Sequence, residues 1–321
     1  MGSMPERRKR QYYALYRLLH KKPRIEYKEI GEILGIDRRT ASIIVKEALE
    51  QGYLGGPQCR KKSYRNFLEY VYFVRSPKPE KLYRKLRKDS RIAYQAKMSG
   101  FSDLWVVASE DIPLDGEIVV KGPRTDYYMS LALDCSWDHT FSTIHSMIED
   151  FKPSTYIPRK YIHEHWDETV EWSDTDEILF QEMKYDLRKA VEPLAKEKYH
   201  IGCGVTYGWL ERLPECCTIT VSYYPEKISA YDPYLFMFET EYEDFIVELF
   251  SQLPVSTFFF KVSDRLFVYF HVKKELIRID GRNALDFDRL QIPLLMRELR
   301  DRGIITSCSY AIVEYFWEKD L

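Results

Sequence analysis

Arg38, Arg39, Thr40, Ser42 and Lys46 lie close together and bring three cations and two hydroxyls to one short stretch. Donors of this kind on one helical face suit phosphate oxygens and the edges of base pairs. The helix that would present them is written in the same residues. Asp37 is a good N-cap, because its carboxylate can accept from the free N–H groups of the first turn. Ala41, Ile44, Val45, Ala48 and Leu49 recur at helical spacing and form the opposite, apolar face. Gly35 turns the chain into this helix, and Gly52 stops it. A second cationic run, Arg60-Lys61-Lys62, follows Gly55-Gly56-Pro57 and reads as a basic wing.

Other groups able to do chemistry are sparser. His163-Glu164-His165 could set two imidazoles on one strand face, but no third ligand accompanies them, so no metal is expected. Asp280, Asp286 and Asp288 flank a loop without the spacing of a calcium site. The cysteines at 59, 135, 203, 216, 217 and 308 form no CxxC pair, which fits a reduced, cytoplasmic protein. Cys216-Cys217 could be a redox or soft-metal handle, though two small hydrophobes is the plainer reading. Neither a phosphate-cradling glycine loop nor a GxSxG motif is present. No catalytic residue and no cofactor is assigned.

The elements that must position these residues follow from periodicity. Helices over 7–20 and 27–34 precede the helix that starts after Asp37, and with the wing they make a winged helix-turn-helix over 4–65. Residues 1–3 ahead of Met4 resemble an expression scar. Over 66–172 the order is strand (67–74), helix (79–88), two strands (92–98, 104–109), helix (140–151) and an extended segment (161–172). That β-α-β-β-α-β order is ferredoxin-like, with an inserted hairpin at 117–133 turning at Lys121-Gly122-Pro123. Helices at 173–185, 188–198 and 202–213 make a second, degenerate winged helix over 173–232. Strands and helices at 234–240, 241–252, 256–261, 266–272, 288–301 and 307–318 make a second ferredoxin-like domain over 233–321.

The fold class is therefore α+β, with the winged-helix and ferredoxin-like pair repeated in one chain. Phe101-Ser102-Asp103-Leu104 parallels Val262-Ser263-Asp264-Arg265, and Glu164-His165-Trp166-Asp167 parallels Tyr315-Phe316-Trp317-Glu318. The shorter offset of the second match fits a loss of the 117–133 hairpin from the second copy.

Charge separates the copies. Over 1–65, sixteen cations against seven anions give +9, while the whole chain is −2 and the remainder −11. Over 173–230, seven cations against ten anions give −3. A basic head on an acidic body implies a polyanionic partner for the head alone. No apolar run reaches membrane-spanning length, so no membrane partner is expected.

These motifs resemble the leucine-responsive regulatory (AsnC-type, feast/famine) family. The resemblance rests on the Gly35-to-Thr40 turn and helix start, the Glu50-Gln51-Gly52-Tyr53-Leu54 exit, and Ser99-Gly100-Phe101-Ser102-Asp103-Leu104. It implies a sequence-specific transcriptional regulator that binds double-stranded DNA, with Arg38, Arg39, Thr40 and Ser42 on base edges and Lys46, Arg60, Lys61 and Lys62 on phosphates. It also implies a small effector such as an amino acid near Gly100, Phe101 and Asp103. Two units in one chain look like a fused dimer, and a palindromic site would need a homodimer of that chain. The chain is not expected to be an enzyme. One enzyme reading stands beside it, since sirohaem decarboxylases of tetrapyrrole biosynthesis look like the same family. His139, His145 and His163 are the histidines considered for such chemistry. A third reading is a regulator acting through protein contacts on its acidic half.

Overall fold

The computed structural model describes residues 5–191, 198–273 and 287–319. In chain order its elements are α1 (Glu6–Lys21), α2 (Tyr27–Leu34), α3 (Arg38–Glu50), β1 (Leu54–Lys61), β2 (Tyr70–Arg75), α4 (Pro79–Leu86), β3 (Ile92–Gly100), β4 (Leu104–Ala108), β5 (Glu117–Pro123), β6 (Tyr128–Met129) and α5 (Trp137–Asp150). The second half continues with α6 (Asp174–Met183), α7 (Cys203–Cys216), β7 (Cys217–Tyr223), β8 (Tyr231–Glu239), α8 (Glu243–Phe250), β9 (Phe258–Val262), β10 (Arg265–Lys273), α9 (Phe287–Asp301) and β11 (Ser307–Glu318). They divide into two compact units, Met1–Tyr64 with Glu168–Ser229, and Arg65–Asp167 with Ala230–Leu321. Each unit thus draws on both halves of the chain.

The first unit holds the two winged helices. Asp37 caps α3, accepting from the Thr40 backbone N–H at 3.0 Å and the Thr40 hydroxyl at 2.5 Å. Ala41, Ile44, Val45 and Ala48 bury the back of α3, which packs on α1 and α2, where Leu15, Tyr16, Leu19 and Ile30 are also buried. α6 starts with a capping box between Ser173 and Asp176. α7 runs through Pro214 to Cys216 instead of ending at residue 213, and passes directly into β7. That strand is absent from the sequence reading, because no turn residue separates it from the helix. β7 pairs antiparallel with β1, from Leu54–Tyr223 to Lys61–Cys217. The expected helix at 188–198 includes residues 192–197, which lie outside the described residues, as do Asp280 and Asp286.

The second unit is one nine-stranded sheet in the order β5-β2-β4-β3-β11-β8-β10-β9-β6. The second copy, β8-α8-β9-β10-α9-β11, has the ferredoxin-like strand order. The first copy departs from its expected elements in two places. The 117–133 segment is not a hairpin: β5 pairs with β2 at one end of the sheet, and β6 pairs with β9 at the other. No strand forms over 161–172, and β5 takes the fourth-strand position beside β2. Residues 117–129 are therefore the counterpart of β11, which likewise pairs first with β8 and then with β3. The alignment of 164–167 with 315–318 does not hold, whereas 101–104 and 262–265 both close a hairpin. Periodicity reveals a strand but not which edge it joins.

The β5-to-β6 connection rolls the sheet onto itself. Arg124 bridges to Val262, Thr125 N–H donates to the Lys261 carbonyl at 3.1 Å, and the Ser263 hydroxyl donates to the Lys121 carbonyl at 2.8 Å. The inner faces of the two copies then meet, with Phe73 stacked on Phe267 at 4.4 Å and Trp105 on Phe260 at 5.5 Å. Closure removes the unpaired edges that an open sheet would expose. Among the described residues no helix is long and apolar enough to cross a membrane.

Candidate functional site

Strand alternation sends Tyr94 and Trp105 of the first copy, and Phe267, Tyr269 and His271 of the second, to the inner face of the rolled sheet. The middle of that face is solid, with Phe73, Phe260 and Phe267 buried. Toward one end it opens. Tyr94, Tyr127 and Tyr269 are half-buried around Trp105, and Phe316 is 54% exposed. Tyr94 meets Trp105 edge-on at 5.1 Å and lies over Phe316 at 5.9 Å, Tyr269 is 6.2 Å from Trp105, and His271 is edge-on to Tyr269 at 5.3 Å. The result is a partly exposed aromatic mouth walled by phenols, with the buried His271 imidazole beside Tyr269.

Two polar features mark this mouth. The Trp105 Nε1–H is buried and has no hydrogen-bond partner among the described residues. Buried indole donors nearly always find an acceptor, so an orphan of this kind needs an explanation. The second is Arg124, which is 1% exposed with its guanidinium 4.4 Å from the ring centroid of Tyr127, itself packed edge-on to Phe260. Arg124 Nε donates to Glu69 at 2.7 Å, and Nη1 to the Thr125 carbonyl at 2.9 Å. Burial pushes the guanidinium pKa down, but Glu69 and Tyr127 more than offset it and keep the cation charged. Trp166 Nε1 donates to the Arg124 carbonyl at 3.0 Å, and Asp126 sits 3.4 Å from His165 Nε2.

The residues singled out from sequence do not gather here. Arg38, Arg39 and Lys46 lie exposed along α3, with Thr40 and Ser42 half-buried beside them. Lys46 is 3.7 Å from Glu50, and the Thr40 hydroxyl is engaged by Asp37. The wing cations are turned to internal tasks. Arg60 donates to the Cys59 carbonyl at 3.2 Å and lies over Tyr185, Lys61 is paired with Glu177, and Lys62 donates to the Pro214 carbonyl at 2.8 Å. Gly100 lets β3 run close to β11, where an added Cβ would sit 2.2 Å from the Tyr310 carbonyl oxygen. Phe101 is core, and Asp103 accepts from the Ser76 N–H at 2.7 Å. His139 is exposed on the first turn of α5, His145 pairs with Glu298 at 2.6 Å, and His163 is exposed in the segment before residue 168. Sequence reasoning took the Tyr and Trp residues as core and passed over Trp105, Tyr269 and His271. Their signal is the alternation of Phe267, Tyr269, His271 and Lys273 along one strand face.

A solved siroheme decarboxylase, NirDL, shares this fold. It aligns over 96% of this chain and 92% of its own at 10% identity, with a TM-score of 0.50. The same enzyme in co-complex with an iron-uroporphyrin III analogue aligns over the same shares at 10% identity and a TM-score of 0.48. PH0061 covers 34% of this chain and 73% of its own at 12% identity, with a TM-score of 0.24. No protein-family model matches, and no curated protein matches.

The near-complete match corrects the main expectation drawn from sequence. The chain is not supported as a sequence-specific DNA-binding transcriptional regulator, because a solved structure that shares its fold over nearly the whole chain is an enzyme. Nor does the expectation of a non-enzyme stand as firm, and neither the DNA nor the effector partner gains support.

Proposed function

We propose that the chain is a tetrapyrrole decarboxylase of the siroheme type, acting at the aromatic mouth of the rolled sheet. The observation that carries the proposal is the orphan Trp105 Nε1–H inside a cage of Tyr94, Tyr269 and Phe260. Flat aromatic walls suit a macrocycle, and a buried donor suits one of its carboxylates. The 96% coverage by a siroheme decarboxylase fold supports the same reading.

The reaction converts a side-chain acetate into a methyl group. The bond to the carboxylate carbon breaks, carbon dioxide leaves, and the electron pair stays on the methylene carbon, delocalised into the macrocycle. A proton then completes the methyl group. His271, beside Tyr269, is the acid assigned to that step, and Trp105 orients the substrate through a carboxylate that does not react. Arg124, neutralised by Glu69, holds Tyr127 against Phe260 and is given no chemical role.

On this reading the modules at 4–65 and 173–232 are scaffolding, and those at 66–172 and 233–321 form the site. The six cysteines form no disulfide, which accords with a cytoplasmic setting. The test is anaerobic incubation of the purified chain with an iron tetrapyrrole bearing acetate side chains, followed by mass spectrometry. Stepwise loss of carbon dioxide is expected. An unchanged substrate spectrum on mixing, with no mass loss, would sink the assignment.

A further inference from the structure

A cleft of about 460 Å³ opens in the first unit, lined by Arg24, Glu26, Tyr27, Lys28, Arg38 and Arg188. Four of these six are cations and one is an acid. Arg188 Nη1 donates to the carbonyls of Pro23 at 3.0 Å and Ile25 at 2.9 Å, and its guanidinium lies 4.9 Å from the Tyr27 centroid. Arg24 Nη1 reciprocates, donating to the carbonyls of Leu187 and, at 3.1 Å, Lys189. Both guanidiniums are therefore held in place by neutral carbonyls. Among the described residues none of Arg24, Arg38 and Arg188 forms an ion pair with a carboxylate. Arg188 Nε is buried and has no hydrogen-bond partner among the described residues.

The cleft also takes in the start of α2, where Glu26 provides no side-chain cap for the first-turn N–H groups. Burial, and then the charge of Arg188, act against the Arg24 cation, while Tyr207 and Asp186 favour it. Like charges gathered in one cleft repel, and a bound anion would relieve that repulsion. Guanidiniums presented as forks match phosphate oxygens better than a point charge does.

We propose that this cleft binds a small phosphate-bearing anion carrying more than one negative charge. The site uses residues of the first unit alone, so its fate is separate from that of the decarboxylase reading. Isothermal titration of the full chain with inorganic pyrophosphate and with inorganic phosphate tests it. Pyrophosphate should bind with one site per chain, more tightly than phosphate, and more weakly as salt is raised. Arg38→Gln, an exposed position, should weaken binding about tenfold without changing the melting temperature. Arg188→Met should abolish binding, with circular dichroism reporting whether the loop it holds survives. No heat from pyrophosphate on the wild-type chain would overturn the site, whether or not a DNA duplex binds. Unchanged affinity in Arg38→Gln would overturn it as well.

Discussion

Trp105 and Arg124 are both buried polar side chains in the second unit, but their accounts differ. Arg124 has its hydrogen bonds, so it belongs to the fold first. Replacing it by Met leaves the Glu69 carboxylate without its cation, and breaking such a pair costs about 3–5 kcal/mol. Urea denaturation of Arg124→Met should show that loss. Trp105 has an unmet donor, so losing the N–H itself costs the fold nothing. Trp105→Phe deletes that N–H together with the five-membered ring of a core side chain, which lowers stability somewhat through the cavity it leaves. A hydrogen bond to a charged group is worth about 1.5–3 kcal/mol. The variant should therefore raise KM for the tetrapyrrole roughly ten- to a hundredfold, with only a modest fall in melting temperature. A loss of stability with unchanged KM would mean that the indole is only core. His271→Gln should instead lower kcat, by about a hundredfold or more if the imidazole is the proton source.

The elements were legible where local chemistry decides them. Asp37 as a cap, α2 over 27–34 and the β3–β4 and β9–β10 hairpins follow from capping residues and alternation. What was not legible depends on partners far along the chain. β7 hides behind a helix without a turn, and β5 and β6 look like one hairpin because residues joining opposite edges still alternate locally. The candidate site suffered in the same way. Tyr94 and Tyr269 are far apart in sequence, and only the rolled sheet makes them neighbours of Trp105.

Two predictions sit at the scale of the element. At Gly100 φ is +149°, and a Cβ would strike the β11 backbone. Gly100→Ala should therefore cost about 1–3 kcal/mol or more by loosening the β3–β11 pairing, read as a fall in melting temperature. In α6, burial pushes the Asp176 carboxyl pKa up, but the Ser173 N–H and hydroxyl and Arg212 outweigh it and leave the pKa below 3.8. A depressed acid of this kind contributes stability above its unfolded pKa and loses it as pH falls through the folded value. Asp176→Asn should melt lower than wild type at neutral pH, and the gap should narrow on acidification into the range below pH 3.8.

At the scale of the molecule, every inter-copy pairing is made within one chain. β1 joins β7, β11 joins β3, and β6 joins β9. Fragments 1–170 and 171–321, expressed together, should copurify as one folded species, because these ladders cross the cut. Either fragment folding alone as a stable monomer would contradict that dependence. The repeat was readable from the hairpin match, and the basic-versus-acidic contrast showed that its copies differ. That contrast was taken as a guide to DNA. In the structure the wing cations instead hold one winged helix to the other.

Where two identical chains build a site across their interface, each substitution is made on both sides at once. This chain writes its two ferredoxin-like copies separately. It can therefore place Trp105 opposite Ala96 in one hairpin and Phe267 opposite Phe260 in the other. The hairpin with the small neighbour has room for an indole and its spare donor, while the other fills its space with two phenyl rings. The two hairpins that meet at Trp105 thus need not be alike: one carries the spare donor and the other supplies the phenyl wall stacked on it. On the tetrapyrrole reading, a flat substrate held there would meet different side chains to its left and right and would be acted on in a defined order around its rim.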